Sequence, residues 1–301
     1  MAKNKSYVFS TLAFTCVTFV TGALSWWAPN LLEDALKTLP EEERGMSIKN
    51  VSFIFGLVMM LSGIVGVPLG MTLSTQLKAK YPRVDPLVCG GGLMISAVFL
   101  LLGLALANQN IFACFAFIFL GSVALNLNWS IIADMLLYIV TPTCRSTAEA
   151  IQILASHAFG DAGSPYLIGL VSESQIYQQM ESRSFNGVLF VQVSDGLFEF
   201  LKTSGKVCVA VAAANSTLEA ETDSHQIAEY SLGQGEDVIE AGMDADCTEE
   251  IIYKFQSLQY SLFTNFGVEI IGGILFFITA IYIVRDKLAC ENASAGESDW
   301  I

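Results

Sequence analysis

Two carboxylates stand where a membrane helix would have to hide them. Asp161 follows His157 by four residues in an apolar run, with Ser164 three further on, and Glu269 follows Asn265 by four in another. Four residues is about one helical turn, so each set shares a face. An imidazole one turn from a carboxyl can share a proton with it, since histidine titrates near pH 6.5 when unperturbed. A histidine that simply fixes helix packing explains the pair equally well, and both readings stay open. An ionised carboxylate at mid-membrane costs at least about 2.5–3.5 kcal/mol by insertion scales, so Asp161 and Glu269 must face a wet cavity, be paired or be protonated. This is the chemistry of a substrate or proton path. The signatures of an enzyme are missing from the sequence: no nucleophile elbow, no HExxH, no P-loop and no cluster of histidines. With seven scattered cysteines, no CxxC and two histidines, no metal site is expected, and no cofactor beyond a possible coupling proton.

The elements that carry these residues follow from composition. Of 301 residues, 53% are hydrophobic and only 15% charged, against about 45–50% and 25% in soluble domains. No charged residue falls within Val51–Met71 or Leu87–Ala133, and a bilayer span needs only about 20 such residues. Six spans are expected, at about 7–28, 51–72, 87–107, 111–140, 146–171 and 258–284. The long uncharged stretch divides at Asn108-Gln109-Asn110, a turn signal, because one unbroken helix there would be roughly 70 Å long. The fold class is an all-α polytopic membrane protein: 1–172 holds five spans, 258–284 the sixth, and 285–301 a tail.

Charge sets the orientation. Lys3, Lys5, Lys78, Lys80, Arg83, Arg145, Arg285 and Lys287 gather on one side, which the positive-inside rule makes cytosolic, with both termini. Residues 173–257 form an acidic lumenal or extracellular loop: between Glu173 and Lys254 there are 15 of the 29 acids and four of the 15 bases, or −11 of the net −14. Such a loop repels phosphates, so nucleic acid is no partner. Its second half reads as disordered and its first as a short hairpin at most. Of four glycosylation sequons, Asn215 is the one expected to carry glycan on that side. Cys208 and Cys247 share its compartment and are either a disulfide or two free thiols. The first span also resembles a secretory signal, but the run is long and Trp26-Trp27 suits an interfacial belt.

The remaining polar residues form stripes. Thr11, Thr15, Thr18 and Gly22 share an arc of the first span, Ser261, Asn265, Glu269 and Gly272 one of the last, and Asn126, Ser130 and Asp134 one of the fourth. Threonine satisfies itself on its own helix, so the first stripe reads as packing. Asp134 and Glu149 lie near cytosolic ends, where a structural pair with Arg145 is expected. Gly63, Gly66, Gly70 and Gly90 to Gly92 let helices approach closely.

Certain passages resemble the Spinster-like lipid transporters of the major facilitator superfamily, in their seventh to twelfth helices. They are Asn4–Pro29 (NKSYVFSTLAFTCVTFVTGALSWWAP), Asn128–Gln152 (NWSIIADMLLYIVTPTCRSTAEAIQ), His157–Ser172 (HAFGDAGSPYLIGLVS) and Leu258–Asp286, which begins LQYSLF. The HxxGDxxSP pattern of His157, Gly160, Asp161, Ser164 and Pro165 is the most specific. The resemblance covers about 1–172 and 255–288. It implies a proton-linked or facilitative carrier of sphingoid or lysophospholipid molecules in lysosomal, late endosomal or plasma membranes, working by alternating access. It also implies that His157, Asp161, Ser164 and Asn128 look towards a central cavity and that Arg145 lies in a cytosolic gating link. Twelve helices are implied and six are here, so an N-terminal six-helix half or a full-length carrier is an expected partner, and the chain reads as a fragment, short isoform or truncated gene model. The alternative is a non-transporting membrane protein that binds or regulates a full-length partner.

Overall fold

The computed structural model describes residues 4–39, 45–184 and 235–295, with side chains undescribed at 175–250 and 294–295. Two compact units divide the chain: Met1–Ser174 with Phe255–Ile301, and Gln175–Lys254. In the second, the described backbone is helical at 175–184 and 235–254.

Helix α1 runs over Lys5–Lys37, α2 over Val51–Lys78, α3 over Val84–Ala105 and α4 over Ile111–Ile139. After a short 3₁₀ turn at Pro142–Cys144 come α5 (Arg145–Ala155), a π-helical segment (Ser156–Asp161) and α6 (Gly163–Ser184); α7 covers Gly235–Ala295. Among the described residues, five helices are long and apolar enough to cross a membrane: α1, α2 with the 3₁₀ turn before it, α3, α4 and Ile251–Ala293 of α7. Where a span is expected at 146–171 the chain forms three helical pieces, none of which is among those five. No strand occurs among the described residues.

Local chemistry explains the boundaries. The carbonyl oxygen of the Asn4 side chain accepts from the Tyr7 N–H at 3.0 Å and caps α1. Asn110 does the same for α4, accepting from the N–H groups of Phe112 and Ala113 at 3.1 Å each, so the expected turn at 108–110 is both a break and a cap. Pro86 sits in the first turn of α3, where its missing N–H costs nothing.

The helices meet through small residues. A carbon added to Gly66 of α2 would lie 2.7 Å from the Val123 carbonyl oxygen of α4, and one on Gly92 of α3 would lie 3.1 Å from that of Ala124. Gly90 meets Gly273 and Phe277 of α7 in the same way, and Gly272 meets Leu93 and Cys16. Gly63 and Gly91 face open space instead. Around these approaches α1 and α4 bury Leu24, Leu31, Leu32, Ile131, Ile132 and Met135, while α2 turns Phe53 and Ile64 outward. Large apolar side chains outside and polar ones inside is the arrangement a bilayer requires.

Candidate functional site

The HxxGDxxSP run is a π-bulge. The Ala162 N–H donates to the His157 carbonyl five residues back at 2.9 Å, one residue beyond α-helical spacing. Pro165 accounts for its place: it has no N–H for the carbonyl of Asp161 and its ring crowds that oxygen. The Ser164 hydroxyl stands in as a long donor to Asp161 O, at 3.4 Å.

Helix α1 locks against this segment. Thr18 Oγ1 donates to the Ser156 carbonyl at 2.8 Å, and Trp27 Nε1 to that of Pro165 at 2.9 Å. Gly160 lies so close to α1 that an added carbon would be 2.7 Å from the Thr15 carbonyl oxygen and 2.9 Å from the Phe19 nitrogen. Conversely, a carbon on Gly22 would lie 2.6 Å from Ser164 Oγ and 2.7 Å from Asp161 O. Thr11 and Thr15 donate to their own helix at 2.8 and 2.9 Å, while Thr11 also accepts from Gln152 Nε2 at 3.3 Å. The threonine stripe is therefore mostly packing, with Thr18 its bridge to the bulge.

The bulge splits the expected set. Ser164 is fully buried against α1, whereas the side chains of His157 and Asp161 are 48% and 49% exposed and approach each other at 3.4 Å, Nδ1 to Oδ2. Asn128 is also fully buried. Its Nδ2 donates to the Leu125 carbonyl at 2.9 Å, and its Oδ1 has no partner. Asn265 and Glu269 lie inside as well, where α7 meets α3, and Ser96 Oγ donates to Glu269 Oε1 at 2.8 Å. The six expected cavity residues thus form an open pair, two separate packing positions and a closed pair.

At the end of α4 the expected Asp134–Arg145 pair is replaced. Asp134 Oδ2 lies 2.6 Å from Lys78 Nζ, Arg145 Nε donates to the Val140 carbonyl at 3.2 Å, and Glu149 is exposed. The reason is a buried anion that sequence reading missed. Asp85 is 1% exposed and is held by Lys78 Nζ at 2.8 Å, Ser74 Oγ at 2.6 Å and Tyr138 OH at 2.5 Å. Lys78 also stands over the Tyr138 ring, 4.3 Å from its centre, so one ammonium serves two carboxylates and an aromatic face. The signal was a lone acid at the edge of an uncharged run, in the first turn of α3 beside Pro86. Asn215, Cys208 and the side chain of Cys247 lie outside the described residues, and no cluster able to hold a metal occurs among those described.

Comparison with known proteins gives this arrangement a lineage. No protein-family model matches the chain. It is 41% identical over 302 residues to "Protein spinster" of Drosophila melanogaster, an alignment covering 99% of this chain and 46% of the relative. It is 40% identical to "Protein spinster homolog 3" of Danio rerio, covering 99% and 47%. With human "Protein spinster homolog 1" the identity is 52% over 177 residues, 58% of this chain and 34% of the relative. In fold it is similar to a solved bacterial homolog of the human lysosomal transporter Spinster in an inward-facing, occupied conformation, with a TM-score of 0.66 at 16% identity, covering 94% of this chain and 50% of that one. The chain spans about half the length of the relatives that match along all of it. In sequence along nearly its whole length the chain is similar to Spinster proteins, and the all-helical fold of its described residues is similar to that of the bacterial Spinster homolog.

Proposed function

We propose that the chain is the C-terminal six-helix half of a twelve-helix carrier that moves a sphingolipid such as sphingosine 1-phosphate, or a lysophospholipid, by alternating access. The observation that carries this reading is the π-bulge. It keeps Gly160 and Ser164 locked on α1 while leaving His157 and Asp161 half exposed. In carriers built from two such halves, substrate binds between them, and a polar pair on an otherwise apolar face suits an amphiphilic guest. His157 and Asp161 contact the polar end of the lipid or hold the coupling proton, and Glu269 is a second, buried protonatable group. Arg145, whose Nε donates to the Val140 carbonyl, belongs to the cytosolic link that changes shape between states. Both termini are cytosolic, and the membrane is lysosomal, late endosomal or the cell surface.

The test is lipid flux in proteoliposomes. A twelve-helix carrier containing these residues moves a fluorescent lysophospholipid or sphingosine 1-phosphate, and Asp161→Asn lowers its initial rate at least tenfold. Equal rates for the two would remove Asp161 from the path. The second reading is a half that binds or regulates a complete carrier. It requires that this chain co-purify with such a carrier and give no flux alone.

A further inference from the structure

Between α1, α3 and α7 lies a small, partly enclosed cavity of about 10 Å³, whose lining includes Leu24, Ala97, Leu100, Leu262, Asn265 and Glu269. Its walls are apolar except for two side chains of α7, and those two are incompletely bonded. Asn265 is 3% exposed and neither its Nδ2 nor its Oδ1 has a hydrogen-bond partner; Glu269 is 1% exposed and its Oε2 has none. A buried polar atom left without a partner costs about 1–3 kcal/mol, so three in one place point to a guest. The volume admits one small species, since a single water needs about 10–15 Å³ by this measure and two to four polar partners.

The chemistry of the three atoms selects the guest. They comprise a donor, Asn265 Nδ2, and two acceptors, Asn265 Oδ1 and Glu269 Oε2. A cation would satisfy the acceptors and leave the amide N–H groups unpaired. A species that both accepts and donates satisfies both signs, and it still does when Glu269 carries its own proton on Oε2, because the guest then accepts there and donates to Asn265 Oδ1. We infer that one structural water occupies this cavity and bridges Asn265 to Glu269, completing a buried polar site with Ser96. Asn265 is then a positioning residue for that water, and the buried carboxyl has a hydrogen-bonded neighbour to which a proton can pass. The inference stands whether or not the chain transports lipid, because it rests on the interior of this unit alone.

X-ray hydroxyl-radical footprinting of the whole chain in detergent reads the site directly, since radicals born at a bound water oxidise the side chains beside it. Leu24 and Leu262, both fully buried, are oxidised several-fold faster than Leu32, which is equally buried and does not line the cavity. Asn265→Leu removes the donor and fills the space, and brings Leu262 down to the rate of Leu32. Glu269→Gln keeps the shape and a polar end, and leaves Leu262 fast, which guards against a variant that merely fails to fold. Equal rates for Leu262 and Leu32 in the wild type would overturn the proposal. So would a melting temperature several degrees higher in sodium chloride than in choline chloride at equal ionic strength, which would assign the cavity to a cation.

Discussion

Replacing Gly160 with alanine puts one methyl group at the tightest approach of α1 to the π-bulge. On the existing backbone that carbon collides with Thr18 Oγ1 and lies 2.7 Å from the Thr15 carbonyl oxygen and 2.9 Å from the Phe19 nitrogen. The hydroxyl can rotate away, but the two backbone atoms move only if α1 moves, by about 0.7 Å to restore ordinary contact. Overpacking of this kind costs about 1–3 kcal/mol, and turning Thr18 away from the Ser156 carbonyl forfeits a hydrogen bond worth about 1 kcal/mol. The sum is about 2–4 kcal/mol. At about 2–4 °C per kcal/mol for a folding unit of this size, the melting temperature falls by about 4–16 °C. Thermal unfolding in detergent, followed by tryptophan fluorescence, measures it. Gly91→Ala is the control, because nothing lies within 4 Å of the carbon it adds and alanine is the better helix former. If Gly160→Ala melts together with Gly91→Ala, the locked π-bulge is wrong.

Three further outcomes are expected. Thr18→Val lowers stability by about 1 kcal/mol while Thr15→Val is nearly neutral, because only Thr18 donates across to the bulge; equal melts would deny the bridge. Lys78→Met leaves Asp85 buried without its cation and costs about 2–4 kcal/mol, below the 3–5 of a fully buried pair because Lys78 reaches solvent. Asp134→Asn costs less than about 1 kcal/mol, since Asp134 is 36% exposed and well screened, so the larger loss in Asp134→Asn would reverse the hierarchy assigned to the cluster. Asn215→Gln abolishes the mass shift produced by deglycosylating the protein from cells; a shift that survives the substitution would place the glycan, and the sidedness of the segment, elsewhere.

Much of the architecture was legible because a bilayer constrains sequence so strongly. Uncharged runs located the helices, and Asn108-Gln109-Asn110 marked the α3–α4 break, to which the structure adds Asn110 as the cap. The one-turn spacing of His157 and Asp161 also survived, as a contact of 3.4 Å. What escaped depended on neighbours remote in the chain. A helical wheel drawn at 100° per residue cannot contain a π turn, so Ser164 was grouped with His157 although the bulge turns it onto Gly22. Pro165 was the available warning. The position of Asp134 near a cytosolic helix end suggests Arg145 as its partner, whereas the partner is Lys78, 56 residues away and drawn in by the buried Asp85. The stripe of Asn265 and Glu269 was visible, but its closure by Leu24, Ala97 and Leu100 depends on how three helices converge.

The claim that these residues form half of a twelve-helix carrier is tested most directly by the mass of the native protein. An antibody raised against residues 217–234 is used on membranes from the source tissue after enzymatic deglycosylation. The account predicts a single product near twice the 32.6 kDa of this chain. A product confined to about 32.6 kDa would contradict it and leave the regulatory reading.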